Sequence, residues 1–288
     1  MSNYIIWCCD YNKNTGEGRL AEKFISSFFL KKRIKILYPK NKFFLSNYFY
    51  QIYGIFVLWF FFLLKKKTVY LNYLPLWNFL IYLLSPPNTI FGPITGSIQI
   101  NKRKKIKSIL RLRLFPMLYK ISLKLLYYRT KKIIFATNVL SKFIDDKTLK
   151  KTELNFILKD LKYSKNKSKK KINLIVYYRK HENKFFDHHI EFIKEKLKKK
   201  EKVIIVGDKL NIEGVSNFGR IKKKKIFDLI RISKYALSGD DNLLSFFNID
   251  CIQNNVKVIF NYKLNFQKNR LNIKQFVAYN FEKKKFVN

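Results

Sequence analysis

Short runs rich in β-branched and aromatic residues alternate with longer stretches of helical apolar spacing, and the alternation occurs twice along the chain. Successive strands separated by helices pair in parallel, because each crossover helix must bury its apolar stripe on the sheet. This alternation constrains the fold more than any other feature. Residues 4–9 (YIIWCC), 34–38, 68–72, 89–91 and 133–136 read as strands of a first set. Leu20, Ala21, Phe24, Ile25 and Phe28 recur at helical spacing just after Gly16 and Gly18, and further helices are predicted over 47–64, 76–84 and 102–128. Residues 164–171 (SKNKSKKK) are polar and almost wholly cationic, the pattern of a linker. Beyond them strands at 172–178, 203–206, 235–238 and 256–260 alternate with helices at 185–200, 224–232 and 242–254. The expectation is an α/β protein of two Rossmann-like, doubly wound domains facing a cleft. Residues 1–163 form the first, 164–171 the basic linker and 172–288 the second.

Composition narrows the class. Of 288 residues, 60 are Lys or Arg and 19 Asp or Glu, a formal net charge of +41, yet 48% are hydrophobic. That hydrophobic share excludes wholesale disorder. Three cysteines, two of them adjacent (Cys8 and Cys9), exclude a disulfide scaffold and fit a reducing compartment. The charge calls for anions: nucleic acid, an anionic membrane face or a phosphorylated ligand. Lysines are spread along the whole chain rather than gathered in one arm, and Lys, Ile, Asn, Phe and Tyr share A/T-rich codons. Residues 52–64 (IYGIFVLWFFFLL) carry no charge and precede Lys65, Lys66 and Lys67. The stretch is short for a span of roughly 20 residues. A membrane span, an interfacial helix and a helix buried in the fold stay open, and the basic flank suits an anionic leaflet.

Ligands of doubly wound sheets bind beyond the carboxyl ends of the strands, so candidate residues are those at strand exits. Gly16-Glu17-Gly18 opens a helix, where glycines and unpaired amides admit an anion, but it is neither a dinucleotide fingerprint nor a P-loop. Gly92-Pro93-Ile94-Thr95-Gly96-Ser97 reads as a turn exposing backbone amides and the Thr95 hydroxyl. Arg179 and Lys184 follow the first strand of the second half, and two cations there can straddle a diphosphate. Gly207-Asp208 ends the next strand. Asp240, Asp241, Asn242 and Asp250 follow residue 239, where a carboxylate can accept from ribose or sugar hydroxyls. An ordinary helix cap at Asp241 or Asn242 is the plainer alternative. No D-x-D, GxSxG, HExxH or CxxC occurs, and His188-His189 lie in a predicted helix without further ligands at zinc spacing. No metal and no cofactor are expected.

In this order the features resemble the GT-B glycosyltransferases, specifically the retaining family 4 (glycosyl transferases group 1), as a divergent bacterial member. The glycine loop after the first strand is similar to Gly16-Glu17-Gly18, and the GP-x-G-G-like turn of some members to Gly92-Pro93-Ile94-Thr95-Gly96. The family's G-R-x4-K is matched by Arg179 and Lys184, its V-G-D strand end by Val206-Gly207-Asp208, and its G-x-V segment by Gly219-Arg220-Ile221. Asn242 and Asp250 stand where the family has the two glutamates of E-x7-E. No histidine precedes residue 181, and Asn72 occupies the place of the family's acceptor-domain histidine. The resemblance implies metal-independent, retaining transfer of a sugar from a nucleotide-diphosphate donor, as a hexosyltransferase does. Arg179 and Lys184 would be catalytic, stabilising the leaving diphosphate. Gly16, Gly18, Gly207, Asp241, Asn242 and Asp250 would bind the donor. Asn72, Gly92, Thr95 and Gly96 would bind the acceptor, a glycan or lipid-linked precursor of surface polysaccharide. The expected partners are the nucleotide-sugar, that acceptor and an anionic membrane surface, with the protein cytoplasmic and peripheral at the inner face of the cytoplasmic membrane. A catalytically inactive GT-B relative and a basic nucleic-acid-binding protein are the rival readings.

Overall fold

The computed structural model describes residues 3–39, 46–96, 106–164, 168–180, 184, 187–268, 271 and 273–287. Ser97, residues 102–105 of the expected basic helix, 165–167 of the linker, His181 and residues 185–186 lie outside them. The chain divides into two compact units, and among the described residues the first runs to Lys159 and the second from Asp160.

The first unit runs β1 (Tyr4–Cys8), α1 (Gly16–Phe29), β2 (Ile34–Leu37), α2 (Ser46–Leu63), β3 (Lys67–Leu71), α3 (Phe79–Leu84) and β4 (Ile90–Phe91). It continues through α4 (Ile106–Arg129), β5 (Ile133–Ile134), α5 (Asp146–Leu149) and β6 (Thr152–Glu153). Its sheet has the order β2-β1-β3-β4, parallel throughout, and β5 pairs with β6. Ile5, Ile6, Trp7 and Cys8 are all buried, as a central strand covered on both faces must be. The order reverses between β1 and β3. With the right-handed crossovers that parallel strands adopt, α1 and α2 fall on opposite faces. The helix α1 is expected after the glycines but begins at Gly16, because Thr15 caps it by accepting the Gly18 N–H at 3.0 Å. Both glycines therefore lie in its first turn.

The second unit runs β7 (Ile172–Tyr178), α6 (Asp187–Lys198), β8 (Val203–Gly207), β9 (Ser216–Asn217), α7 (Lys223–Arg231) and β10 (Ser233–Leu237). Then come α8 (Phe246–Gln253), β11 (Lys257–Asn261), α9 (Asn265–Lys268), β12 (Phe276–Asn280) and β13 (Lys285–Val287). The sheet order is β13-β12-β11-β10-β7-β8-β9, with only the β12–β13 pair antiparallel. Read from β7, six of these strands have the order 3-2-1-4-5-6 of a dinucleotide-type Rossmann sheet, with its switch point between β7 and β10. Leu174, Val176, Phe192, Ile193, Val203, Ile205, Leu237 and Ile259 form the core against this sheet. The sequence reading places no strand after residue 260 and misses the two-residue β9, whose length holds no period to detect. It also starts α8 at 242, whereas Ser245 caps it and the helix begins at Phe246. The expected caps Asp241 and Asn242 are thus freed from the helix end. Of the expected linker, Ser164 and Lys171 donate backbone N–H groups to Gln253 O and Ile232 O within the second unit.

Gly207 ends β8 at φ +105°, and a Cβ there would lie 2.2 Å from the Tyr178 carbonyl oxygen. The left-handed conformation and the close approach both require glycine. Gly207→Ala is expected to cost about 2 kcal/mol or more. Scanning calorimetry should show its unfolding transition about 4 °C or more below that of the parent.

Candidate functional site

Three strand exits of the second unit are tied to one another by hydrogen bonds. At the β7 and β8 exits, Asp208 N–H donates to Tyr178 O (2.8 Å) and Lys180 N–H donates to the Asp208 carboxylate (2.9 Å). The same carboxylate accepts from Arg220 Nε and Nη2 at 3.0 and 2.8 Å. Gly219 O accepts the Gly207 N–H (2.9 Å), so the similar segment around residues 219–221 closes this corner. The Lys180 amide, Arg220 and the nearby charge of Arg179 hold the Asp208 carboxyl below its ordinary range. Arg179 itself stands exposed immediately past β7.

At the β10 exit, Asp240 N–H donates to Lys184 O (3.0 Å). A Cβ on Gly239 would meet that carbonyl at 2.9 Å, so the approach depends on glycine. The Lys184 ammonium pairs with Asp241 Oδ2 at 3.0 Å, both side chains partly buried. The structure therefore brings Lys184 and Asp241 together from segments more than fifty residues apart. Asn242 accepts the Leu244 N–H in a tight turn (2.9 Å). Asp250 lies in the body of α8 and is buried. Beside it, Asn248 donates to Ser238 Oγ and Leu243 O, both at 2.8 Å, and Gln267 Oε1 accepts the Leu243 N–H. These buried amides fix the loop between β10 and α8.

Next to Lys184 lies a group that sequence spacing does not reveal. His188 Nε2 is 3.1 Å from Asp240 Oδ2 and His189 Nε2 is 3.4 Å from Asp240 Oδ1. Asn261 Nδ2 also donates to Oδ2, at 3.2 Å. Burial favours the neutral acid, but the hydrogen bonds and positive character of the two imidazoles prevail and hold Asp240 ionised well below the usual carboxylate range. The switch point is the signal that was available. A helix following the first strand starts beside the exit of the fourth, so residues 188–189 and 240 had to be read together.

In the first unit, Asn72 is buried and engaged on both sides of its amide. Its Oδ1 accepts Cys9 and Asp10 N–H groups (3.0 and 3.3 Å), and its Nδ2 donates to Asp10 O and Cys8 Sγ (2.5 and 3.3 Å). Glu17 accepts the Tyr73 N–H at 3.2 Å, while burial pushes its carboxyl up. Asn72 and Glu17 thus latch the loop before α1 to the exit of β3. The Gly92 to Gly96 segment corrects an expectation. Three of its amides are not displayed to a ligand: Gly92, Ile94 and Thr95 N–H donate to Tyr70, Ile134 and Leu74 carbonyls at 2.8, 2.7 and 3.1 Å. Ile94 also pairs with Phe135, so the segment carries the sheet across to β5. The buried backbone must satisfy its donors, and the sheet is nearer than any ligand. Thr95 and Gly96 are half-buried.

No protein-family model matches the chain, and no curated protein sequence matches it. Among solved structures it is similar to the N-terminal domain of Candida albicans trehalose-6-phosphate phosphatase, at 12% identity and a TM-score of 0.49, over 92% of this chain and 84% of that one. It is also similar to UDP-GlcNAc 2-epimerase of Methanocaldococcus jannaschii in complex with UDP-GlcNAc and UDP, at 10% identity and 0.48, over 97% and 90%. A third is an alpha-glucosyltransferase in complex with UDP and a 13-mer DNA, at 11% identity and 0.46, over 99% and 88%.

Because the Asp208 carboxyl is depressed in the folded protein, its stabilisation is complete above the unfolded carboxylate pKa of about 3.9. It is lost as pH falls through the lower folded value. Asp208→Asn should therefore flatten the acid limb of the melting temperature between about pH 5 and pH 2. An unchanged slope would count against the latch at the β7 and β8 exits.

Proposed function

We propose that the protein is a glycosyltransferase that moves a sugar from a nucleotide-diphosphate sugar to a lipid-linked or surface-polysaccharide acceptor, with retention of configuration. The observation that carries the reading is the pairing of Lys184 with Asp241 at the switch point of a sheet with Rossmann strand order, with Arg179 exposed past the neighbouring strand β7. A departing diphosphate gains negative charge in the transition state. Arg179, exposed past β7, and Lys184 supply positive charge for it, with no metal called on at the diphosphate. Lys184 rests on Asp241 until then, so a bound diphosphate competes with a carboxylate for the same ammonium. Asp241 is thereby released to accept from a sugar hydroxyl. Asp250 and Asn242 are assigned to the nucleotide ribose and donor sugar from their match to the resembled motif. UDP- or GDP-sugars should raise the melting temperature of the parent. Arg179→Ala or Lys184→Ala should lower transfer about tenfold or more while leaving the fold intact. Unchanged turnover in both variants would falsify the assignment.

The acceptor reading is supported by α2. Gln51, Gly54, Ile55 and Leu58 form its buried stripe, whereas Phe49, Ile52, Phe56, Phe60 and Leu63 are 58–74% exposed. Leu80, Leu83 and Leu84 of α3 extend this apolar surface, and Trp59 Nε1 ties the two helices by donating to Leu84 O at 2.7 Å. Among the described residues no helix is long and apolar enough to cross a membrane. Exposed Lys65 and Lys67 follow α2, and Lys32 and Lys67 both sit over the Tyr4 ring. Each large apolar side chain fully withdrawn from water contributes about 1.5–3 kcal/mol. A few inserted residues with nearby cations therefore suffice for reversible docking to an anionic inner leaflet. Anionic liposomes should sediment the protein at low salt. Phe56→Ser with Phe60→Ser should weaken that binding about tenfold or more, given the area removed.

A further inference from the structure

We propose that His188, His189 and Asp240 bind one divalent transition-metal ion of the zinc class. Each residue offers a ligand atom, and the three atoms lie within 4.8 Å of one another. The nitrogen-to-oxygen separations are 3.1 Å from His188 to Oδ2 and 3.4 Å from His189 to Oδ1, each close to one edge of a coordination shell. Bonds of about 2.0–2.1 Å at tetrahedral angles give edges of about 3.3–3.4 Å. Two imidazoles and one carboxylate select zinc, cobalt, nickel or iron over calcium and magnesium, which take oxygen ligands. The cluster is supported as ligand sets usually are. The Asp240 side chain is 1% exposed and receives the Asn261 amide, which orients the carboxylate from outside the set. Three protein ligands leave at least one position for water or another oxygen.

The site is approached from the His188 side. A cavity of about 320 Å³ is lined by His188, Glu191, Asn261, Tyr262, Lys263 and Glu282, among others. Lys263 in its wall pairs with Glu282 at 2.7 Å, so its charge is locally balanced and does not repel an entering cation. Without an ion, imidazole N–H groups can donate to the Asp240 carboxylate, and ion binding displaces those protons. The bound ion would fasten the start of α6 to the exit of β10, the two elements between which Lys184 and Asp241 are held. Its role would be positional, since His188, His189 and Asp240 are distinct from Arg179 and Lys184. The site does not rest on the transferase reading, because an ion that binds where nucleotide-sugars do not would leave it standing.

The test uses the full chain, stripped with chelator and titrated calorimetrically with Zn²⁺ alone. The expected result is one ion bound per chain, with protons released and the melting temperature raised. His188→Gln, at a partly exposed position, and Asp240→Asn should each weaken binding about tenfold or more. Glu22→Gln, in an exposed pair of the first unit, should not. Co²⁺ added to the parent should develop the visible bands of a nitrogen- and oxygen-ligated ion, which decides the matter if Asp240→Asn fails to fold. A parent chain that retains neither ion after desalting overturns the proposal, as does His188→Gln with undiminished affinity.

Discussion

A buried carboxylate cannot stand alone in a protein interior, and Asp240 organises the second unit around that constraint. Its side chain takes His188 and His189 from α6 and Asn261 from the exit of β11, and its amide takes the Lys184 carbonyl. Four chain segments are thereby fastened at the carboxyl edge of the sheet. Lys184 then reaches Asp241, one residue further on, at 3.0 Å. The Lys184–Asp241 pair is consequently held next to one desolvated charge. Asp208 plays the matching part at β7 and β8, where it gathers the Lys180 amide and Arg220 and holds the turn that presents Arg179. The two acids differ in exposure. Asp208 works at the surface with a flexible guanidinium, whereas Asp240 works in the interior with rigid rings.

The first unit solves a different problem. Its helix α2 is apolar around most of its circumference, yet the sheet can cover only one stripe. Gly54 admits the Trp7 indole against the helix, Leu58 is fully buried, and Phe49, Tyr53, Phe56, Trp59 and Phe60 are exposed. Such a surface is large for a chain exposed only to water. Lysines flank it instead of covering it. The charge of +41 thus includes a few cations placed at strand exits and others bordering an apolar face.

Much of the second unit was legible because parallel strands buried on both faces are nearly continuous apolar runs. The bounds expected for β7 agree with the structure residue for residue, while β8 differs by one residue at its end and β10 and β11 by one or two residues at both ends. The positions of Arg179 and Lys184 in the fold were legible too, since both follow a strand that is plain in the sequence. Less legible were sites made by pairing distant segments. Gly92 to Gly96 looks like a turn from composition, but the neighbouring strands claim its amides. Asn72 looks like a residue offered at a strand exit, and its amide instead closes the loop before α1. His188 and His189 carry no ligand spacing of their own, because their partner lies some fifty residues away.

By itself the sequence determined the alternation of strands and helices and the apolar character of α2, since both follow from local periodicity and composition. Only the tertiary structure decided which strand lies beside which. Strand order depends on where crossovers bury their apolar stripes, an energy summed over contacts distant along the chain. From that order came the meeting of β7 and β10 at the switch point, the pairing of Lys184 with Asp241 and the closure of two histidines on Asp240. A hydrogen bond or ion pair acts over about 3 Å, and no spacing along the chain encodes such a distance between segments fifty residues apart.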